Sequence, residues 1–181
     1  MNEKYLKIKK LFDLAFQSHK KNNLLHAESL YKEILEIDSN DVATLNNLGN
    51  VLKESRKYEE AIFHYEKALI TKPQDIFTNY NLGLLFKELK KFQKSISFYE
   101  KVIKIDSKHI QSYHDLMDIY ESTNDYEKLK KIIVDAKIFF KNNSIIKLYE
   151  GILLYKNKKF TKAINSLESF SFDANKIKQE R

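Results

Sequence analysis

The amino-acid sequence predicts an all-α fold made of repeated helical hairpins, and three observations support this prediction. The 181 residues include three glycines and one proline, whereas β-sheet folds need turn-forming residues at every hairpin. Apolar residues recur at the three- and four-residue spacing of amphipathic helices. Gly49 and Gly83 are separated by 34 residues, and Gly151 lies two further steps of 34 along the chain. Such a fixed period is the signature of a repeat protein.

The same step of 34 residues relates small and aromatic residues at fixed positions of each period. The small set is Ala27, Ala61, Ser95 and Ala163, with the larger Leu129 at the intervening position, and the aromatic set is Tyr31, Tyr65 and Tyr99. Five frames result, at 8–41, 42–75, 76–109, 110–143 and 144–177. They predict a repeat array over residues 1–172, followed at 173–181 by a short tail or the start of a further helix.

Each frame is predicted to contain two helices joined by a short turn. In the second frame, Leu45, Leu48 and Leu52 form the apolar stripe of a first helix. A second stripe begins at Ala61, after a break at residues 55–57. The frame is therefore a helical hairpin.

Residue types near the frame boundaries indicate where helices begin and end. Asp41 and Asp75 precede first helices, where a short carboxylate accepts hydrogen bonds from free backbone N–H groups. Pro73 is expected to end the second helix of its frame. Gly49 is predicted to face Ala61, because two backbones approach closely only where side chains are short.

The second frame resembles the tetratricopeptide repeat. The residues that carry the resemblance are Leu45, Leu48, Gly49, Leu52, Ala61, Tyr65, Ala68 and Pro73. The match extends over nearly the whole chain and weakens in the last two frames. In the fourth frame Met117 replaces the usual glycine and Leu129 the usual alanine, and in the fifth frame Lys147 and Glu150 occupy two normally apolar positions. The resemblance implies a right-handed superhelical solenoid whose first helices form a concave inner surface.

The composition limits the chemistry that the chain can perform. The absence of cysteine excludes disulfides, thiolate nucleophiles and Cys-ligated metals. The five histidines lack metal-binding spacing, and the glycines form no phosphate-binding loop. We therefore expect no catalytic residues, no metal and no cofactor, and hence no enzyme activity. The charged start lacks the apolar run of a signal peptide, and no apolar run approaches the ~20 residues of a membrane span, so a cytoplasmic location is expected.

The resemblance also implies which residues line the concave groove. The candidates are Asn46, Asn47, Asn50, Phe77, Tyr80, Asn81, Leu84 and His114. An asparagine amide offers both a donor and an acceptor, so several of them can bind the backbone of an extended peptide without reading its sequence. Aromatic side chains add apolar anchoring. The predicted function is a protein–protein interaction scaffold that holds a peptide or a partner protein.

Two other uses within the family serve as comparisons. Heat-shock cochaperones grip a C-terminal carboxylate with a clamp that begins with a lysine, but Phe12 or Asn46 stands at that position here, so the clamp is not expected. Transferases carry an asparagine ladder, and Asn47 and Asn81 match two of its rungs. The chain is therefore alternatively a non-catalytic leading segment of a glycosyltransferase or sulfotransferase. These two asparagines could also simply solvate the groove or cap local turns.

The charge pattern supplies a weaker alternative. The net charge is +7, and cationic pairs recur at the turn inside most hairpins, at Lys20–Lys21, Arg56–Lys57, Lys90–Lys91 and Lys158–Lys159. Such a basic rim could bind nucleic acid or an anionic membrane. Peptide binding is favoured because the cations are almost all lysine, without interleaved aromatics.

The C-terminal edge of the array is expected to be covered by another element, since few apolar residues follow Phe172. A further domain or a second copy of the chain could supply that cover.

Overall fold

A computed structural model describes residues 3–159 and 161–167, and in this part of the chain every regular element is an α-helix. The helices with defined bounds are α1 (Glu3–Lys20), α2 (Leu24–Ile37), α3 (Val42–Glu54), α4 (Tyr58–Thr71), α5 (Ile76–Glu88), α6 (Phe92–Ile105), α7 (Ile110–Ser122), α8 (Tyr126–Phe139) and α9 (Ser144–Lys156). Residues 161–167 are helical as well. The predicted all-α class and the repeated hairpins are confirmed. The predicted tail at 173–181 lies outside the described residues.

The chain divides into two compact units, Met1–Phe98 and Tyr99–Arg181, with the division inside α6. The first unit has a continuous apolar core to which α1 through α5 contribute Ala15, Ala27, Tyr31, Leu48, Ala61, Tyr65 and Leu82. In the second unit, buried apolar residues of α7 and α8 include Leu116, Met117, Leu129 and Ala136. Each unit therefore buries side chains of both helices of a hairpin.

The first helix of each hairpin ends in the same hydrogen-bonded turn. At the end of α3, the N–H of Arg56 donates to the carbonyl of Lys53 (2.9 Å), and the N–H of Lys57 donates to the carbonyl of Leu52 (2.8 Å). These two bonds define a Schellman motif, in which one residue adopts a left-handed conformation. The residues with φ between 56° and 60° are Asn22, Arg56, Lys90, Asn124 and Lys158. The sequence predicted the break at 55–57 but not this conformation.

The predicted aspartates cap the starts of first helices. An Asp41 carboxylate oxygen accepts from the N–H of Thr44 at 2.7 Å, and Asp75 makes the equivalent bond ahead of α5 at 3.0 Å. His109 and Asn143 occupy the same place before α7 and α9, and their side chains also accept backbone N–H bonds. Side chains of three different types therefore perform one capping function.

Gly49 is needed because an aromatic ring packs directly against its backbone. A Cβ atom at Gly49 would lie 2.5 Å from Cε1 of Tyr65, and the three closest atoms all belong to that ring. Ala61, which was predicted to face Gly49, is thus not its closest neighbour. Tyr65 is fully buried and has no room to move away.

A buried carboxylate joins the first hairpin to the second. Glu28 on α2 accepts from Lys32 Nζ at 2.6 Å and from Lys57 Nζ at 3.0 Å. Lys57 immediately precedes α4, so this contact connects elements of adjacent repeats.

Candidate functional site

Seven of the eight candidate residues lie on α3 and α5 of the first unit, and these two helices contact each other. The asparagines at 46, 47, 50 and 81, which we call the amide face, are all partly buried. The eighth candidate, His114, lies on α7 of the second unit.

A hydrogen bond between two asparagines of the amide face links α3 to α5. Asn81 Nδ2 donates to Asn46 Oδ1 at 3.0 Å. Within the described part of the chain, neither Asn46 Nδ2 nor Asn81 Oδ1 has a hydrogen-bond partner. The pair therefore presents a donor on α3 and an acceptor on α5.

The other two asparagines are each held by a neighbouring group. Asn47 Nδ2 donates to the carbonyl of Ala43 at 2.8 Å, one turn earlier on the same helix. The hydroxyl of Tyr65 donates to Asn50 Oδ1 at 2.6 Å. These bonds leave the oxygen of Asn47 as an acceptor and the nitrogen of Asn50 as a donor. Although Asn47 and Asn81 are related by the repeat step, one bonds to its own helix and the other to a neighbouring helix.

Apolar side chains share α5 with Asn81. Phe77, Tyr80 and Leu84 are three and four residues apart, a spacing that places them on one side of a helix. Phe77 is 73% exposed, and the other two are partly buried. This side of α5 therefore offers apolar contact area together with an amide.

His114 lies in a different environment in the second unit. Burial lowers the pKa of His114, while a side-chain hydrogen bond with Asn143 and the charge of Asp115 act in the opposite direction. Nearby, the Tyr149 hydroxyl donates to Asp118 at 3.2 Å. Burial and the surrounding carboxylates raise the pKa of Tyr149. His114 thus lies in a partly buried setting beside a charged group, Asp115, whereas the amide face has no charged member.

A cleft in the second unit was not predicted from the sequence. It has a volume of about 580 Å³ and lies among side chains of α6, α7 and α8. Its lining combines apolar side chains with charges of both signs, including Ile103, Phe139, Lys104, Lys131, Glu100 and Asp135. No simple sequence pattern marks it, because its walls come from three helices.

Among residues 3–159 and 161–167, no group of three His, Asp or Glu side chains is arranged to hold a metal ion. None of the helices described is both long enough and apolar enough to cross a membrane.

Comparisons with known proteins agree with the repeated hairpins. Residues 42–75 and 78–109 each match a family model described as tetratricopeptide repeat. No curated protein matches the sequence.

Several solved structures are similar in fold. MamA superposes with a TM-score of 0.81 at 18% identity, covering 91% of this chain and 96% of that chain. A tetratricopeptide repeat protein from Parabacteroides merdae gives 0.82 at 17% identity, covering 94% and 68%. YrrB, whose structure is described as that of a tetratricopeptide repeat protein with an unusual peptide-binding site, gives 0.71 at 16% identity, covering 93% and 91%. The two family matches show tetratricopeptide repeats at residues 42–75 and 78–109, and the solved structures show that the chain shares the fold of such repeat proteins.

Proposed function

We propose that the chain is a protein-interaction scaffold whose amide face binds an extended segment of a partner protein. The hydrogen bond from Asn81 to Asn46 carries this proposal, because it orients two amides on adjacent first helices. With Asn47 and Asn50 included, the face presents donors at two asparagines and acceptors at the other two. An extended main chain offers both carbonyl and N–H groups, so it suits such a mixed set better than any single charged side chain does.

The apolar side chains on α5 support the same proposal. Phe77, Tyr80 and Leu84 would contact side chains of the bound segment, while the amides hold its backbone. A shared fold with YrrB, described as having a peptide-binding site, is consistent with this function. His114, in the second unit, stays a proposed groove residue.

Peptide binding is favoured over the other functions considered. In the basic turns of the first unit, Lys57 is paired with Glu28, and Lys20 lies over the ring of Phe16 at 4.9 Å. These cations are thus partly engaged within the fold. The transferase ladder gains no support from the structure, since Asn47 and Asn81 have different partners.

The double variant Asn46→Ala/Asn81→Ala tests the proposal. A fluorescein-labelled peptide, selected on the unaltered protein from a random-peptide phage library, serves as the probe in fluorescence anisotropy. Loss of two amides from the interface is expected to weaken binding by about 1–3 kcal/mol, because ligand groups lose their hydrogen-bond partners. The thermal midpoint should change little, since both asparagines are only partly buried.

Asn40→Ala is the matched control. This asparagine is exposed in the turn between α2 and α3, and its replacement should leave the affinity unchanged. Equal affinity of the double variant and the unaltered protein would place the binding site elsewhere.

A further inference from the structure

We infer that Tyr65, a core residue, is a positioning residue that holds the amide of Asn50 with its nitrogen free to donate to the bound segment. The inference rests on the proposed function and adds a member to its binding machinery. It also defines the ligand more closely, because the group that meets Asn50 must be a hydrogen-bond acceptor such as a main-chain carbonyl.

The position of the Tyr65 hydroxyl is set by core packing. Tyr65 lies on α4 and is fully buried. Its ring packs on the backbone of Gly49, where a Cβ atom would come within 2.5 Å of it. The ring is therefore confined, and its hydroxyl holds Asn50 Oδ1 at 2.6 Å.

The direction of this hydrogen bond follows from the chemistry of the two groups. Burial raises the pKa of Tyr65, and the charge of Glu54 raises it further, so the phenol keeps its proton. Within the described residues, the oxygen of Asn50 is the acceptor to which that proton is donated. An amide that accepts through its oxygen leaves both hydrogens of its nitrogen available, and Asn50 Nδ2 has no partner in the described part of the chain.

The preceding repeat supplies an internal comparison. Tyr31 is the equivalent of Tyr65, 34 residues earlier, and it is also fully buried. The residue equivalent to Asn50 is Phe16, which cannot accept a hydrogen bond from a hydroxyl. In the described residues, the Tyr31 hydroxyl has no hydrogen-bond partner. Both tyrosines therefore fill the core of their repeats, but only Tyr65 also donates a hydrogen bond to an amide, that of Asn50.

The experiment compares Tyr65→Phe with Tyr31→Phe. Each variant removes one hydroxyl and keeps the ring, so the packing is preserved in both. With the phage-selected peptide as probe, Tyr65→Phe is expected to weaken binding about 3- to 10-fold, because Asn50 is no longer held in place. Tyr31→Phe should leave the affinity unchanged.

Variants of Asn50 test whether the two residues act together. Asn50→Ala should weaken binding at least as much as Tyr65→Phe, and adding Tyr65→Phe to it should have no further effect. Asn50→Asp should also weaken binding, because a carboxylate still accepts from Tyr65 but has no hydrogen to donate.

A ligand-free measurement examines the positioning directly. In ¹H–¹⁵N spectra of the free protein, Tyr65→Phe should shift the side-chain amide resonances of Asn50, and Tyr31→Phe should not. Unchanged resonances or unchanged affinity in Tyr65→Phe would overturn the inference. If Asn46→Ala/Asn81→Ala weakens binding while Tyr65→Phe does not, the inference alone fails; if that double variant binds normally, the proposed function fails.

Discussion

Glu28 shows how single residues with long side chains join one repeat to the next. The residue is 6% exposed, which by itself disfavours a charged carboxylate. Burial acts to raise the pKa of Glu28, but the hydrogen bonds and charges of Lys32 and Lys57 outweigh it and hold the pKa below its ordinary value. The two lysine side chains remain 50% and 39% exposed. Their ammonium groups therefore keep part of their hydration while they neutralise Glu28.

Glu28→Gln should lower the free energy of unfolding at pH 7 by roughly 1 kcal/mol, because the ion pairs with both lysines are lost. The loss is no larger because the lysine ammonium groups stay hydrated without their partner. The folded-state pKa is depressed, so the stabilisation is complete above the ordinary glutamate pKa of about 4.3 and is lost as the pH falls through the folded value. The difference between the two proteins should thus be constant from about pH 7 to pH 5 and shrink below about pH 4. Urea unfolding at several pH values measures it.

Glu33→Gln is the control on the same helix. Glu33 pairs with Lys7 at 3.2 Å, and both side chains are well exposed. Its replacement should change the unfolding free energy by less than about 0.5 kcal/mol at every pH. A deficit of Glu28→Gln that persisted undiminished in acid would rule out the ion pair as its cause.

At the scale of the helices, one turn geometry is imposed on five different sequences. The Schellman turn places a residue near φ +58° after each first helix, a region that favours glycine and tolerates asparagine. Asn22 and Asn124 suit this conformation, whereas Arg56, Lys90 and Lys158 adopt it at a cost. The contacts of the hairpin therefore override the local preference of three residues.

Lys90→Gly should raise the free energy of unfolding by about 0.5–1 kcal/mol, since glycine adopts a positive φ without steric cost. The gain is limited by the greater freedom of glycine in the unfolded chain. Thermal and urea unfolding, followed by circular dichroism, measure the change.

Lys91→Gly serves as the comparison for Lys90→Gly. Lys91 follows directly and has no positive φ, so glycine there should lower the stability. Equal effects of the two substitutions on the free energy of unfolding would show that the backbone conformation at Lys90 is not the reason for the change.

At the scale of the whole molecule, packing within each of the two units is dominated by neighbours along the chain. In the first unit, α1 contacts α2, α2 contacts α3, α3 contacts α4, and α4 contacts α5. In the second unit, α7 contacts α8 and α8 contacts α9. Adjacent first helices also meet, as α3 does with α5 and α7 with α9. Stability in such an array is approximately a sum of repeat and nearest-neighbour terms.

A fragment of residues 74–181 should therefore fold without the first two repeats. It keeps α5 intact together with its capping residue Asp75. We expect a helical circular dichroism spectrum and cooperative unfolding at a lower temperature than the full chain, because contacts with α3 and α4 are lost.

A fragment that begins at Leu84 is the control. It starts in the middle of α5 and lacks the cap, so it should be less helical per residue and less stable. A random-coil spectrum of the 74–181 fragment would contradict nearest-neighbour coupling.

Much of the fold could be predicted because its determinants are local. The spacing of Gly49 and Gly83 located the repeats, and the apolar stripes within each frame located the helices. Asp41 and Asp75 cap α3 and α5 as expected, since a cap involves residues only three positions apart. The candidate asparagines came instead from the resemblance, which implies the inner positions of each repeat, and their role in binding stays a prediction.

The arrangement of the candidate site was beyond prediction from sequence. Repeat symmetry pairs Asn81 with Asn47, yet Asn81 donates to Asn46. The contact of Tyr65 with Asn50 joins two helices. The sequence shows that Phe16 replaces Asn50 in the preceding repeat, but it does not show that the Tyr65 hydroxyl reaches this position.

The sequence by itself therefore determined the repeat period, the helical hairpins, the aspartate caps and the resemblance to the tetratricopeptide repeat. Hairpins and caps depend on residues within a few positions of one another, and the period is visible as a recurrence along the chain. The tertiary structure decided which oxygen or nitrogen each asparagine presents, and which residues adopt the left-handed conformation. The physical reason is that hydrogen-bond partners on different helices, and the backbone angles of a turn between packed helices, are set by distances that exist only after the hairpins have packed.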